Sequence, residues 1–247
     1  TISFRFFVIL LTFNLIISCK SASSYQTIKI EGKKIGVTNE KGENKEIADY
    51  VKPYSDNINK DLNNVLAYCT ETQDKSKGTW QSNIGNLLAE ITFELGNPVF
   101  QKRENKTIDV CLLNHGGIRA VIPKGDITTR TAFEVMPFEN SLIIVGLTGK
   151  EIKTLAEYII KEKKPHPLYG MKIYIDKNTL AINKIEINDK PLDENQLYYV
   201  GTSDYLANGG DNMTFFKESK IKFEMEYKLR NMMIEKKKKI DTIPNIT

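Results

Sequence analysis

The sequence is poor in the residues that most often bind transition metals or form disulfides. Its 247 residues include three cysteines and two histidines, and no two cysteines stand in a Cys-x-x-Cys pair. This scarcity argues against a zinc site of ordinary ligand spacing. Apart from Cys19, the cysteines are Cys69 and Cys111, which we predict to be buried free thiols that pack as small hydrophobic groups. A Cys69–Cys111 disulfide stays open as an alternative, because the sequence does not contain its geometry.

The sequence also lacks the basic stripe that nucleic-acid-binding proteins present. The formal net charge is +4, and much of the excess comes from four consecutive lysines at residues 236–239. Elsewhere lysines are interleaved with glutamates, so no nucleic acid partner is expected. We predict residues 236–247 to form a solvated basic tail. A hydrophobic fraction of 40% and a charged fraction of 27% are typical of a globular domain with a substantial core.

The N-terminal residues have the pattern of a secretory signal. Arg5 precedes an almost unbroken apolar run at residues 6–17, which is too short to span a bilayer comfortably. The run ends in Ile16-Ile17-Ser18-Cys19, which resembles a bacterial lipobox, whose cysteine becomes the lipidated first residue of the mature protein. We therefore expect a signal peptide at residues 1–18, a lipidated Cys19 with a tether at residues 19–26, and an anchored domain of the cell envelope that faces the periplasm or the exterior. An ordinary cleaved signal with a chance cysteine is the alternative.

Apolar spacing predicts strands and helices in a mixed order. Strands are expected at residues 27–30, 34–37, 107–113, 141–147, 197–202 and, as a pair turned at 177–178, 172–187. Helices are expected at residues 49–68, from about 87 to a stop at Gly96-Asn97-Pro98, after a capping box at 148–151, and at 223–234. Because no regular βαβ repeat appears, we predict an α+β fold, a single layered domain of mixed sheets flanked by helices at residues 27–235.

Two glycine-containing loops follow apolar runs that are predicted as strands. The first is Asn114-His115-Gly116-Gly117-Ile118-Arg119, and the second is Ala207-Asn208-Gly209-Gly210-Asp211. Glycine lets the backbone approach a ligand closely, and the neighbouring amide, guanidinium and carboxylate groups can bind a ligand with many polar oxygens. Two such loops in one domain indicate a small-molecule site.

Six segments of the chain together resemble a known family. They are DYVKPY at 49–54, NIGNLL at 83–88, LNHGGIR at 113–119, VMPF at 135–138, LTG at 147–149 and YLANGGD at 205–211. In this order and at these spacings, they resemble the C-terminal, substrate-binding domain of the 5′-nucleotidases and UDP-sugar hydrolases. In that family this domain holds the nucleoside, while a separate N-terminal domain holds two metal ions and performs the hydrolysis.

The resemblance implies roles for individual residues. Phe138 and Tyr205 would clamp the base between two aromatic rings, although the family usually has Phe at the position of Tyr205. Asp211 would accept hydrogen bonds from ribose hydroxyls, while Asn114 and Arg119 would contact the nucleotide, the guanidinium favouring phosphate. The loop residues expected to contact substrate also include Gly116, Gly117, Asn208 and Gly210.

The chain departs from the family pattern in one place. Many relatives have a further arginine a few residues before the segment that reads Asn83-Ile84-Gly85-Asn86 here. In this region Lys75 or Lys77 would have to supply the charge, as a flexible point charge rather than a bidentate fork.

The metal-binding motifs of a two-metal phosphoesterase are missing from the sequence. It contains no Asp-x-His and no Gly-His-x-His, so we expect no metal ligand, no cofactor and no catalytic residue in this chain, and divalent metals on a partner. His115 and His166 are interpreted as loop residues. The leading hypothesis is the nucleotide-recognition half of a split extracytoplasmic 5′-nucleotidase that works with a separate metallophosphatase chain. The alternatives are a membrane-tethered nucleoside or nucleotide binder without a catalytic role, and a structural envelope lipoprotein that no longer binds ligand.

Overall fold

The computed structural model describes residues 25–239 and 242–243. The predicted signal peptide, Cys19 and most of the tether lie outside these residues, as does the end of the predicted tail. The chain divides into two units, residues 1–50 and 51–247. Residues 25–37 of the first unit form no strand, so the strands predicted at 27–30 and 34–37 are wrong. Ile28 and Ile30 are almost fully exposed, so the alternating apolar residues have no core to cover.

The described residues contain helices and strands in a mixed order. The helices are α1 (Lys45–Leu62), α2 (Asn83–Glu104), α3 (Thr129–Val135), α4 (Gly149–Glu162), α5 (Asp204–Ala207), α6 (Thr214–Glu218) and α7 (Leu229–Lys239). The strands are β1 (Val65–Cys69), β2 (Val110–Leu112), β3 (Gly125–Thr128), β4 (Ser141–Thr148), β5 (Leu168–Tyr169), β6 (Met171–Ile175), β7 (Ile182–Ile187), β8 (Lys190–Pro191), β9 (Leu197–Ser203), β10 (Lys222–Lys228) and β11 (Thr242–Ile243). Among these helices, none is both long and apolar enough to cross a bilayer.

The central sheet has five strands in the order β10-β4-β9-β2-β5. β2 and β9 run parallel, with Val110 opposite Val200, whereas β4 runs antiparallel to both of its neighbours. Two further sheets have three strands each, in the orders β11-β1-β3 and β6-β7-β8. Parallel and antiparallel pairs thus occur in one sheet, which confirms the predicted α+β class with mixed sheets.

Side chains of the central sheet alternate between two cores, as the period of a strand requires. Cys111 and Ile144 belong to a cluster that includes apolar residues of α2 and α7. Their neighbours Leu112 and Val145 belong to a second cluster, which includes the apolar face of α4. Helices therefore cover both faces of the sheet, and the predicted layered arrangement is confirmed.

Several local predictions are confirmed. Strands β4 and β9 and the β6–β7 pair lie where the apolar patterns placed them, and β2 lies within its predicted range. Helix α4 begins with the predicted capping box: the Glu151 backbone N–H donates to the Thr148 hydroxyl, and the Thr148 backbone N–H donates to the Glu151 carboxylate at 2.7 Å. These two bonds satisfy donors that a helix start otherwise leaves free.

Helix α2 continues through Gly96-Asn97-Pro98, so the predicted stop is wrong. Proline in a helix interior costs about 3 kcal/mol, and tertiary contacts must offset that cost. Gly96 lets the helix approach β4 closely, since a Cβ at this position would lie 2.7 Å from the Leu142 side chain. The Asn97 side chain also accepts a hydrogen bond from the Ile108 backbone N–H at 2.9 Å. Contacts with distant residues therefore hold the helix at the segment that reads as a breaker.

Two predicted helices include residues that form strands instead. The helix predicted at 49–68 ends at Leu62, and β1 follows with Ala67 opposite Ile127 of β3. The helix predicted at 223–234 begins only at Leu229, because the preceding residues pair with β4 as β10. A neighbouring strand satisfies the backbone groups there, and this tertiary partner overrides the helical spacing.

The start of the lysine run is not a solvated tail. Helix α7 extends to Lys239, Lys236 pairs with Glu94, and Lys237 is only 1% exposed. The prediction of a solvated tail is therefore wrong at Lys237. The domain bounds of residues 27–235 stay a prediction. Cys69 and Cys111 are both buried and free, which confirms the predicted free thiols; Cys69 is the last residue of strand β1.

Candidate functional site

Three segments of the predicted site meet at one edge of the central sheet. β2 and β9 are adjacent and parallel, so the loops that follow their carboxyl ends emerge together. β4 is antiparallel to β9, with Leu142 opposite Ser203, so the segment that enters β4 lies at the same edge. The Thr202 hydroxyl donates to the Leu112 carbonyl at 2.8 Å and ties the two strand ends. The strand register thereby places residues from three distant parts of the sequence side by side.

The first loop turns tightly at His115–Gly117, a 3₁₀ helix. A Cβ on Gly117 would lie 2.7 Å from the Asn114 side-chain oxygen, so only glycine lets the Asn114 amide fold over the turn. The Lys75 ammonium donates to the carbonyl of Ile118 at 2.5 Å and to that of His115 at 3.3 Å. Lys75 therefore holds the loop through two of its backbone carbonyls. Burial, and then the charge of Arg119, lower the pKa of Lys75.

The second loop follows the short helix α5. Gly209 has φ of +91° and Asp211 has φ of +51°, so the chain passes through the left-handed region twice within three residues. A Cβ on Gly210 would lie 2.5 Å from the Tyr205 ring, so the ring rests directly on this glycine. The loop thus turns Tyr205 and Asp211 toward each other.

Asp211 joins the two loops through its hydrogen bonds. The Asn114 amide donates to its Oδ2 at 3.0 Å, and the Tyr205 hydroxyl donates to its Oδ1 at 2.8 Å. The Tyr158 hydroxyl of α4 donates to the Asp211 backbone carbonyl at 2.7 Å. Burial raises the pKa of Tyr158 to about 12, so this hydroxyl keeps its proton at neutral pH.

Phe138 is presented by a segment that α7 holds in place. The buried Arg230 guanidinium donates to the carbonyls of Met136 and Pro137, each at 3.2 Å, and forms an ion pair with Glu139. Phe138 itself remains 49% exposed. An exposed aromatic ring on a braced backbone is suited to stacking against a flat ligand.

These elements enclose a cleft of about 310 Å³. Phe138 and Tyr205, 49% and 45% exposed, both line it, and the Arg119 guanidinium lies 5.9 Å from the centre of the Phe138 ring. The lining residues are Asn114, Gly116, Gly117, Arg119, Phe138, Asn140, Tyr205 and Asp211. The cleft therefore offers two aromatic surfaces, one cation and one carboxylate to a single small molecule.

The match with a family model decides what kind of domain this is. Residues 62–218, more than half of the chain, match the 5′-nucleotidase C-terminal domain. The chain belongs to this family. The resemblance that the six sequence segments indicated is thereby confirmed.

The relatives are longer proteins. The chain is 25% identical over 225 residues to the trifunctional nucleotide phosphoesterase protein YfkN of Bacillus subtilis, and this match covers 82% of this chain and 14% of YfkN. It is 24% identical over 205 residues to protein UshA of Escherichia coli, and this match covers 76% of this chain and 35% of UshA. The chain spans less than half the length of these curated relatives.

Solved structures agree with the family. The 5′-nucleotidase precursor of Thermus thermophilus superposes with a TM-score of 0.68 at 25% identity, over 81% of this chain and 41% of that one. The NAD nucleotidase of Haemophilus influenzae has the same fold, with a TM-score of 0.62 at 18% identity, over 83% of this chain and 40% of that one.

Not every residue predicted to contact substrate lines the cleft of this 5′-nucleotidase C-terminal domain. The Asn208 amide donates to the Asp204 carbonyl at 2.9 Å, at the end of α5, and Gly210 lies beneath the Tyr205 ring. Sequence reasoning missed Asn140, which lines the cleft, and Arg230, which holds the Phe138 segment. Asn140 stands two residues after Phe138 and directly before a predicted strand, a position that could have drawn attention to it.

The two histidines lie beside the cleft without forming a metal site. His166 accepts the His115 backbone N–H at its Nδ1, at 3.3 Å; it lies in a loop, as predicted, and its side chain is buried. Among residues 25–239 and 242–243, no three His, Cys, Asp or Glu side chains converge as ligands for an ion. Burial lowers the pKa of both imidazoles. The donor set present here does not fit the two-metal centre that the family implies, and no metal step is assigned to it.

Proposed function

We propose that this chain is the nucleotide-recognition half of a split 5′-nucleotidase and works with a separate metallophosphatase chain. The observation that carries the proposal is the cleft in which Phe138, Tyr205, Arg119 and Asp211 meet. Family membership and the names of the relatives, which include nucleotide phosphoesterases, support it.

The cleft has a polarity that suits a nucleotide. A base between Phe138 and Tyr205 would gain about 1–3 kcal/mol from stacking on each ring, with little preference among bases. Sugar hydroxyls would donate to the Asp211 carboxylate, and a phosphate would accept hydrogen bonds from the Arg119 guanidinium. By holding all three parts at once, the domain would fix the orientation of the phosphate and so contribute through proximity. Metal ions and the attacking water would come from the partner chain.

We place this function outside the cytoplasm, on a lipid anchor at Cys19. The support is the lipobox-like Ile16-Ile17-Ser18-Cys19 at the end of an apolar run. Mass spectrometry of the mature N-terminus should find a diacylated cysteine. An unmodified first residue would remove the anchor from the proposal.

A binding protein without a catalytic role is the second candidate, and one observation favours it. Of the described residues that line the cleft, Arg119 alone is cationic, and the nearby Lys75 ammonium is bonded to two backbone carbonyls. A single guanidinium binds a phosphate monoester less tightly than two would, so the phosphate adds little to the affinity. We therefore expect adenosine to bind within about tenfold of AMP.

Calorimetry and activity together test these functions. We expect the purified chain to bind adenosine and AMP, and Phe138→Ala or Tyr205→Ala to weaken both by about tenfold or more. Phosphate release from AMP should appear only when a metallophosphatase chain from the same source and a divalent metal are added. Binding without that release supports the second candidate. No binding of any nucleoside would leave only a structural envelope protein.

A further inference from the structure

Asp211 is held at all of its polar atoms, although its backbone is in an unfavourable conformation. Its φ of +51° is uncommon for a residue other than glycine. The Tyr205 hydroxyl donates to Oδ1 at 2.8 Å and accepts the Asp211 backbone N–H at 3.2 Å. The Asn114 amide holds Oδ2, and the Tyr158 hydroxyl holds the backbone carbonyl. The carboxylate is therefore oriented before any ligand arrives.

The Tyr205 hydroxyl is the part of this arrangement that a phenylalanine could not provide. The ring could stack with or without it, and Gly210 would still support the ring. The bond to Asp211 raises the pKa of Tyr205, so the hydroxyl remains a donor across the neutral range. Without the hydroxyl, Oδ1 would lose its partner and the carboxylate could rotate about its side chain.

The oriented carboxylate selects the chemistry of the ligand. Each carboxylate oxygen can accept more than one hydrogen bond, so Oδ1 and Oδ2 keep acceptor sites after binding Tyr205 and Asn114. Only ligand groups that donate can use these sites, and anions are repelled. Two adjacent hydroxyls match two fixed acceptor oxygens better than one hydroxyl or none does.

We propose that the Tyr205 hydroxyl is a positioning group that makes this domain selective for ligands with a ribose diol, by fixing the Asp211 carboxylate. This inference rests on the proposed nucleotide site. The Tyr205 ring would stack on the base, and the Tyr205 hydroxyl would have a second role in selecting the sugar.

The test compares Tyr205→Phe with Tyr158→Phe in the full chain. Both changes remove one hydroxyl bonded to Asp211, but the first bond is to the carboxylate and the second is to the backbone. Titrations with adenosine and 2′,3′-dideoxyadenosine measure the preference for the diol. We expect the unmodified protein and Tyr158→Phe to prefer adenosine by about tenfold or more, as for hydrogen bonds to a charged group. In Tyr205→Phe the preference should fall to about twofold.

The other outcomes overturn the inference in distinguishable ways. If the preference for adenosine stays the same in Tyr205→Phe, the hydroxyl does not contribute to sugar selection. If the preference rises, the hydroxyl competes with the sugar for the carboxylate. An equal fall in both variants would mean that any support of the loop suffices. Asp211→Asn should remove the preference for adenosine whether position 205 is Tyr or Phe, because the hydroxyl acts only through the carboxylate. If the losses of preference caused by Tyr205→Phe and by Asp211→Asn simply add in the double variant, the proposed coupling between the two residues is refuted. If the unmodified protein binds neither nucleoside, the proposed function falls together with this inference.

Discussion

Replacing Lys237 by methionine should stabilise the protein, because its ammonium group is buried and has no hydrogen-bond partner among the described residues. The side chain is 1% exposed, and within the described part of the chain its Nζ has no hydrogen-bond partner. Burial lowers the pKa of Lys237 from 10.5 to about 8. Each pKa unit corresponds to about 1.4 kcal/mol, so the charged form costs the fold about 3 kcal/mol. Methionine fills a similar volume without a charge, and Lys237→Met should recover about that amount at pH 7.

The gain should depend on pH in a defined direction. Below pH 8 both the folded and the unfolded states carry the proton, and the full penalty applies. Between pH 8 and 10.5 the unfolded state binds more protons, so the unmodified protein becomes more stable as the pH rises. The advantage of Lys237→Met should therefore shrink across this window.

Urea unfolding, followed by the fluorescence of the single tryptophan, Trp80, measures both effects. Lys236→Met is the matched control, since Lys236 pairs with Glu94 and is partly exposed. It should bring no pH-dependent gain. A Lys237→Met protein that is no more stable at pH 7, or whose advantage is the same at pH 7 and pH 10, would refute the reasoning.

Three further predictions concern the site and the fold. Arg119→Ala should weaken AMP binding by about tenfold, which removes the small advantage of AMP over adenosine, and adenosine binding by less than about threefold, whereas the distant Arg130→Ala should change neither in calorimetry. Thr148→Ala should lower the free energy of unfolding by about 1 kcal/mol through loss of the capping box, and an unchanged urea midpoint would contradict this. Gly170→Ala should cost about 3 kcal/mol, since φ is +82° and a Cβ would lie 2.3 Å from the Asp109 carbonyl. Gly125→Ala, which has φ of +116° but open space, should cost less in the same unfolding assay.

The elements that the sequence predicted well are those whose cause is local. The Thr148–Glu151 capping box lies within four residues, and the apolar residues of β4 and β9 form unbroken runs. The aromatic, guanidinium and carboxylate groups that line the cleft were identified differently, because their roles were implied by the resemblance of six segments to the family and not by local chemistry. A feature that depends only on neighbouring residues can therefore be predicted from the sequence without knowledge of its tertiary contacts.

The errors arose where a distant contact decided the outcome. Gly96 and Asn97 continue helix α2 because Leu142 and Ile108 pack and bond against them, and neither partner is near in sequence. β10 carried a readable signal, since Phe223, a methionine and a tyrosine alternate with charged residues. Reading that stretch with a period of 2 would have placed the strand correctly.

The position of Lys237 could not be read from its neighbours. Four lysines in a row predict solvent exposure, but a helical period of 3.6 residues directs Lys236 and Lys237 to different sides of helix α7. Lys236 reaches Glu94, whereas Lys237 faces the core. The burial follows from where the helix packs, and that depends on β1 and α2.

The parallel register of β2 and β9 decides whether the candidate site exists at all. With Cys111 opposite Gly201, both strands end at the same level, and Asn114 can reach Asp211 at 3.0 Å. A slip of one residue would turn every side chain of β9 to the other face and move the second loop by about 3.3 Å along the strand. That displacement exceeds the tolerance of a hydrogen bond, so the Asn114–Asp211 contact would break. The two cores that flank the sheet therefore hold the register, and through it they hold the carboxylate that we propose as the acceptor for sugar hydroxyls.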